Sequence, residues 1–518
     1  MKVAGFCTGH DCSYAILENG IPIIHNELER FIRAKEPTDD AIKFMCDTEK
    51  DVSDISYFTH CIHPWGDQSK RYPESHKKLL DIVKNNNGEE HYIGHHQAHA
   101  ANAFFSSNFD NALIITLDGG GHDRDQNGNV VLSAWTAWEG NKNKISPIEY
   151  ISNPNLGAAY GLCSERIFGH KQGFPYGNKS GTVMAMAAMG DEKKYFRDFY
   201  NHIKRNFESI PFSHYNNIVN KSEQDKFDVA AGLQKACEII VKEKIDEYIK
   251  KYSYEYLCLS GGAALNSVIV GKLYEWYPNF KDIYVDPVPY DGGLALGSAR
   301  YVWHHILDNP RIEWKDNSTP YLGKTYSAEL VRRAIDKSYN DITLKVVKDE
   351  DVINLLTDKN VISIFGGGSE SGRRALGNRS ILADPRSDKM KEIINEKVKH
   401  REWFRPFAPS ILREEVGNWF EIDINSPYMT AVIKFKKEVT EKVPAVVHFD
   451  RSARLQTVTE KDNKWYYNFI KLFAKKTGVP ILLNTSFNDR EPIVETPEHA
   501  INCFLGTDID YLYFRDYN

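Results

Sequence analysis

Three apolar segments of this chain run straight into glycines, and that repeated junction limits the fold more than any other feature. Lys2-Val3-Ala4-Gly5-Phe6-Cys7 leads to Thr8-Gly9-His10-Asp11. Ala112-Leu113-Ile114-Ile115-Thr116-Leu117 leads to Asp118-Gly119-Gly120-Gly121, and Tyr256-Leu257-Cys258-Leu259 leads to Ser260-Gly261-Gly262. Short apolar runs bounded by glycine read as buried strands. At a glycine turn the backbone N–H groups can face phosphate oxygens, because no Cβ blocks close approach. Such strands alternating with helical stretches specify an α/β fold, and three glycine-ended strands in one half of the chain suggest a nucleotide cleft.

The first 28 residues read as strands joined by tight turns, with Glu18-Asn19-Gly20 the clearest hairpin signal. A helix is expected near 95–105 and a helix-rich stretch over 160–250. A fourth strand, Ile283-Tyr284-Val285, leads to Pro289-Tyr290-Asp291-Gly292-Gly293 and a Gly/Ala-rich helix. At 518 residues the chain exceeds one ordinary core. The apolar pattern breaks at Asn317-Ser318-Thr319-Pro320, so the expected domains are 1–335 and 336–518.

A net charge of −6, from 71 acidic against 65 basic residues, gives no general attraction to nucleic acid or an anionic membrane. Eight cysteines without a C-x-x-C pair read as reduced thiols of a cytoplasmic protein. No apolar run reaches membrane-spanning length and the opening residues carry no signal-peptide pattern, so no membrane partner is expected.

Two histidines four residues apart, His95 and His99 in His95-His96-Gln97-Ala98-His99, would share one helix face and can point at one ion. The same spacing also suits surface or core histidines. Asp291 can supply a third, anionic ligand, or it can be the carboxylate of a helix N-terminus. The last third of the chain is dense in arginine: Arg373-Arg374-Ala375-Leu376-Gly377-Asn378-Arg379-Ser380, then Lys399-His400-Arg401-Glu402 and Arg405-Pro406-Phe407-Ala408-Pro409. Arg454-Leu455-Gln456 and Leu483-Asn484-Thr485-Ser486-Phe487-Asn488 follow. Planar guanidinium forks can hold a phosphate by paired hydrogen bonds. A basic surface for nucleic acid or acidic partners is the other reading.

These strings, with Gly9-His10-Asp11, Glu27-Leu28-Glu29-Arg30-Phe31 and Ser260–Asn266, resemble the O-carbamoyltransferases of the nodulation, tobramycin and cephem type. The resemblance runs in order through both lobes. It implies an N-terminal actin-like (ASKHA) duplicated ATPase domain, similar to the metal-dependent ATP-binding proteins of tRNA threonylcarbamoylation, followed by an α/β YrdC-like domain. By position, His95, His99 and Asp291 would hold Fe(II) or another divalent metal, and His10 would be the general base near the acceptor hydroxyl. Asp118, Gly119 and Gly120 would meet the phosphates of ATP, carried with Mg²⁺, and Gly261, Gly262 and Asn266 the nucleoside. Arg374, Lys399, Arg405, Arg454, Asn484 and Ser486 would bind carbamoyl phosphate. The implied reaction forms a carbamoyl-adenylate and moves the carbamoyl group to an alcohol oxygen, with a small-molecule hydroxyl as acceptor and a homodimer among the expected partners.

The chain departs from that family's pattern. Arg373 replaces a proline, Ser371 a phenylalanine and Arg451 a glycine. Ser180-Gly181-Thr182-Val183-Met184-Ala185-Met186-Ala187 lacks the usual acid and lysine. These changes touch the acceptor side and leave room for a hydroxymethylated pyrimidine in a nucleotide or DNA. Threonylcarbamoyl-type tRNA modification, a sugar-kinase-type phosphate transfer and a non-catalytic ATP-binding regulator are the rival readings. A sugar kinase needs neither His95 and His99 nor the arginines.

Overall fold

The computed structural model describes residues 1–61, 68–312 and 320–517. The chain divides into two compact units, Met1–Ser318 and Thr319–Asn518. That boundary falls earlier than the expected 335/336. The helix Ala328–Lys337 buries Val331, Ala334 and Ile335 against Ile501, so it belongs to the second unit's core. The pattern break at 317–319 lies outside the described residues.

The first unit is built twice from one plan. Strands β1 (Lys2–Cys7), β2 (Ser13–Glu18), β3 (Ile21–Glu27), β4 (Ile55–Cys61) and β5 (Glu89–Ile93) form a sheet ordered β3-β2-β1-β4-β5. Strands β6 (Asn111–Arg124), β7 (Val130–Asn141), β8 (Lys144–Ile151), β9 (Tyr256–Ser260) and β10 (Asp282–Val285) repeat it as β8-β7-β6-β9-β10. In each sheet the first three strands are antiparallel, and the last two add in parallel beside the first. The duplicated α/β plan is the actin-like arrangement. Asn19-Gly20 closes the β2–β3 hairpin with both residues at positive φ, as a tight primed turn requires.

The glycines 119–121 do not make the expected turn. β6 continues through them to Arg124, and its pairing with β7 is interrupted between Leu117 and Gly121. The residues in between are released from the ladder as a bulge, with Gly120 at φ +142°.

Helices cover and join these sheets. α1 (Pro73–Asn85) packs on β4, α2 (His95–Ser106) leaves β5, and α3 (Leu294–Arg300) follows β10. A Cβ on Gly297 would sit 2.0 Å from the Ala98 carbonyl oxygen, and one on Gly5 1.9 Å from that of Ala295. Only glycine lets α3 lie this close to both α2 and β1. A buried polar knot ties the two helices: Asp286 accepts from Asn102 Nδ2 (2.9 Å), Ser106 Oγ (2.8 Å) and Val288 N (2.8 Å), with Arg300 3.8 Å away.

The second unit holds one mixed sheet ordered β14-β15-β13-β16-β12-β11-β17. Its strands are β11 (Ile362–Phe365), β12 (Arg379–Ala383), β13 (Ala408–Leu412), β14 (Ala431–Lys434), β15 (Ser452–Val458), β16 (Ile481–Ser486) and β17 (Tyr511–Phe514). All eight cysteines are free thiols and six are buried, so they pack rather than cross-link. Among the described residues no helix is long and apolar enough to cross a membrane.

Candidate functional site

The first turn of α2 is fixed by a residue on another strand. The buried carboxylate of Asp123, just past the β6 bulge, accepts from His96 N (3.2 Å) and Gln97 N (2.9 Å). It thereby satisfies two of the orphan donors of the helix end. A Cβ on Gly94 would meet this carboxylate at 2.2 Å, and one on Gly121 would meet the His95 ring at 2.2 Å. His96 is a packing residue: buried, with Nδ1 2.6 Å from Thr116 Oγ1 and Nε2 donating to the Ser133 carbonyl at 2.9 Å. Burial lowers its pKa to about 4, so it stays neutral.

His95 and His99 project from the opposite side of that turn with ring centroids 4.8 Å apart. Asp291 enters from the loop before α3. That loop is pinned at the Gly292 carbonyl by Ser13 Oγ (2.9 Å) and His25 Nε2 (2.8 Å), and by the Tyr290 hydroxyl donating to Glu27. The structure also brings in Asp118, expected only at a phosphate. His99 Nε2 is 2.9 Å from Asp118 Oδ2 and 3.5 Å from Asp291 Oδ1, and His95 Nε2 is 3.6 and 3.7 Å from the same two atoms. One ligand atom from each of the four residues lies within 4.8 Å of the others.

Among the described residues neither Nε2 atom has a hydrogen-bond partner of acceptable geometry, although both are buried. An orphaned buried donor costs roughly 1–3 kcal/mol. Two imidazole nitrogens and two carboxylates converging on one point form the donor set of a divalent transition ion, so the residues fit such a metal. Burial disfavours the His99 imidazolium, but Asp118 and Asp291 outweigh it and raise the pKa to about 9. Burial likewise opposes ionisation of Asp291, and His10 and His95 overcome it, bringing that carboxyl down to about 2.

His10 lies at the rim, its side chain 65% exposed, with Nε2 3.2 Å from Asp291 Oδ2 and Nδ1 2.9 Å from Asp11 Oδ2. The Asp291 charge, then the Asp11 hydrogen bond, lift its pKa to about 10.

The glycines divide their work. Gly119 and Gly120 are exposed on the bulge, and the Gly119 amide donates to Asp118 Oδ1. Gly261 holds φ +88°, and a Cβ there would sit 2.1 Å from the Leu117 carbonyl oxygen. Gly262 N donates to Asp118 Oδ2 at 3.1 Å. Asn266 caps the helix Ser267–Trp276 through Ile269 N (3.2 Å) and donates to Gln234 Oε1 (2.9 Å), a buried partner on the helix Glu223–Lys251 that sequence reading missed.

In the second unit, strand register assembles the cationic residues. β13 pairs with β15 at Ser410↔Gln456 and with β16 at Ala408↔Asn484. Because side chains alternate along a strand, Arg454 and Gln456 share a face with Ala408, Ser410, Asn484 and Ser486. The loop carrying Arg374 packs on that face: Asn484 Nδ2 donates to Ala375 O (3.2 Å) and Gln456 Nε2 to Leu376 O (3.1 Å). Buried Glu370 shapes the loop, its Oε1 accepting from the amides of Leu376, Asn378 and Arg379. Lys399 Nζ bonds Ser486 O (2.6 Å), Asn488 O (2.7 Å) and Asn488 Oδ1 (2.8 Å), so it also organises the 486–488 loop.

Burial, and then the charges of Arg374, Arg401 and Arg405, push Arg454 well below the ordinary guanidinium range. Arg401, in the Lys399–Glu402 string but not among the expected ligands, bonds Asn395 and Pro406. Arg454 Nε and Asn484 Oδ1 are buried without partners among the described residues. An orphaned cationic donor and an orphaned neutral acceptor on one face suit a ligand carrying both an anionic oxygen and an N–H group.

The family profile "Carbamoyltransferase N-terminus" matches residues 68–300, and "Carbamoyltransferase C-terminus" matches residues 353–518. Uncharacterized protein sll1178 of Synechocystis sp. is 34% identical over 476 residues, covering 82% of this chain and 75% of that one. Nodulation protein NolO of Bradyrhizobium diazoefficiens is 35% identical over 443 residues, covering 81% and 77%. Uncharacterized protein MJ1051 of Methanocaldococcus jannaschii is 29% identical over 547 residues, 99% of each chain. With profile matches over residues 68–300 and 353–518 and relatives aligned over most of their length, the chain belongs to the carbamoyltransferase family and is a carbamoyl-transferring enzyme.

Proposed function

We propose that this enzyme uses ATP and carbamoyl phosphate to place a carbamoyl group on a hydroxyl of a small molecule, sugar or natural product, through a carbamoyl-adenylate. The observation that carries the reading is the second unit's face, where Arg454 Nε and Asn484 Oδ1 are both orphaned beside Arg374, Lys399 and Ser486. Phosphate oxygens answer the guanidinium groups, and the carbamoyl N–H answers the amide oxygen.

In the first unit His95, His99, Asp291 and Asp118 would hold Fe(II) or another divalent ion. When bound, such an ion can polarise a carbonyl or lower the pKa of a hydroxyl. The exposed glycines 119 and 120, released from the ladder, with Gly261, Gly262 and Asn266 nearby in the fold, support an ATP–Mg²⁺ site whose phosphates approach the β6 bulge. His10 is the proposed proton acceptor from the acceptor hydroxyl. Its ring must be neutral for that role, which requires the Asp291 charge now holding its proton to be taken up by a cation.

The test is product analysis. The reading requires AMP and pyrophosphate release that depends on carbamoyl phosphate, and a mass gain of one carbamoyl group on a hydroxyl compound. Release of ADP without carbamoyl phosphate would identify a kinase instead. A panel including hydroxymethylated pyrimidine nucleotides and oligonucleotides decides the acceptor class.

A further inference from the structure

A second group of metal-ligating side chains lies outside the cluster described above. His60 lies next to the end of β4, Glu90 lies on the adjoining strand β5, and His76 projects from α1. The parallel register pairs Phe58 with Glu90 and His60 with Tyr92. Since alternate residues share a face, His60 and Glu90 stand diagonally on the side of the sheet that α1 covers. His76 Nε2 is 2.7 Å and His60 Nε2 3.5 Å from the same oxygen, Glu90 Oε1. One ligand atom from each residue lies within 4.8 Å of the other two.

We propose that His60, His76 and Glu90 form a zinc site that staples α1 to the first sheet. The donor set is two imidazole nitrogens and one carboxylate oxygen, the composition of a three-protein-ligand zinc centre, with a fourth position for water. Donors around a tetrahedral ion with bonds of about 2.0–2.1 Å stand about 3.4 Å apart, so the 3.5 Å separation already fits and the 2.7 Å one needs only to open. Aromatic rings enclose the group, with Phe6 stacked on His60 at 5.5 Å and Phe58 edge-on to His60 and His76 at 5.3 and 5.7 Å. That shell keeps bulk water from competing for the ligands, while Glu90, half-buried at the edge, gives the ion a way in. Zinc is the ion chosen because these three donors and one water complete its tetrahedral shell.

The test is metal stoichiometry on the full chain, loaded with zinc or with cobalt as its spectroscopic substitute and measured by elemental analysis and visible absorption. The wild type is expected to bind one equivalent that His76→Asn and Glu90→Gln lack and that His99→Ala retains, with four-coordinate cobalt bands and a lower unfolding temperature in both deficient variants. Equal metal content in wild type and His76→Asn overturns the site, and uptake of Fe(II) but not zinc overturns the choice of ion. Should those variants fail to fold, a protein with both His95 and His99 replaced by alanine decides the question: one cobalt ion per chain supports the site, and none overturns it.

Discussion

His99 Nε2 lies 2.9 Å from Asp118 Oδ2, although one residue sits on a helix of the first half-domain and the other on the leading strand of the second. The contact exists because α2, leaving the last strand of one sheet, packs on the first strand of its duplicate. Asp118→Asn keeps the shape and removes the charge. It should weaken divalent-metal binding by roughly 10–100-fold or more, read by calorimetry, with circular dichroism unchanged. Undiminished affinity would assign Asp118 to the nucleotide alone. His99→Ala should abolish carbamoyl transfer.

Arg454 tests the second unit. Charge-assisted hydrogen bonds contribute about 1.5–3 kcal/mol, so Arg454→Ala should raise the KM for carbamoyl phosphate roughly 10- to 150-fold and leave the KM for ATP unchanged. Arg454→Lys restores charge without the planar fork and should recover only part of the loss. Equal effects on both substrates would contradict the assignment.

Gly94 and Asp123 form a matched pair at the start of α2. Gly94→Ala drives a Cβ into the capping carboxylate, and Asp123→Ala removes that cap. Each should cost about 1–2 kcal/mol, the scale of a lost N-cap, in denaturant unfolding, and each should also weaken metal binding because His95 and His99 ride on that turn. Metal affinity untouched in both variants would show that the turn holds its place without the cap.

Acid stability should report His25. Its pKa drops from 6.5 to about 4 because burial disfavours the charged ring, more than the Gly292 carbonyl and Asp286 favour it. The unfolded chain therefore takes up a proton below pH 6.5 that the folded chain refuses. This contribution is fully present above pH 6.5 and is lost as the pH falls through about 4, with a ceiling of roughly 3 kcal/mol. His25→Gln can keep the hydrogen bond to Gly292 without a titrating ring, so it should flatten the pH dependence of unfolding free energy over that window. An unchanged slope would rule out His25 as a contributor.

Some of this was written in local sequence and some was not. Apolar runs ending in glycine located β1, β6 and β9, and the spacing of His95 and His99 placed both on one helical face, because strand period and helix pitch act over a few residues. The same local reading mistook the glycines at 119–121 for a turn. Whether a glycine ends a strand or bulges within it depends on the neighbouring strand, here β7, which no local pattern supplies. Which unit the helix Ala328–Lys337 joins is likewise assigned only by its burial against Ile501.

By itself the sequence determined which residue types were available: imidazoles at helical spacing, glycines at strand ends, guanidinium groups in apolar segments. The tertiary structure alone decided that Asp118 joins the two imidazoles, that Arg454 and Asn484 share a face, and that His60, His76 and Glu90 meet. Those contacts follow from sheet register and helix packing, which bring distant residues together to bury apolar surface, and short-range pattern carries no record of that.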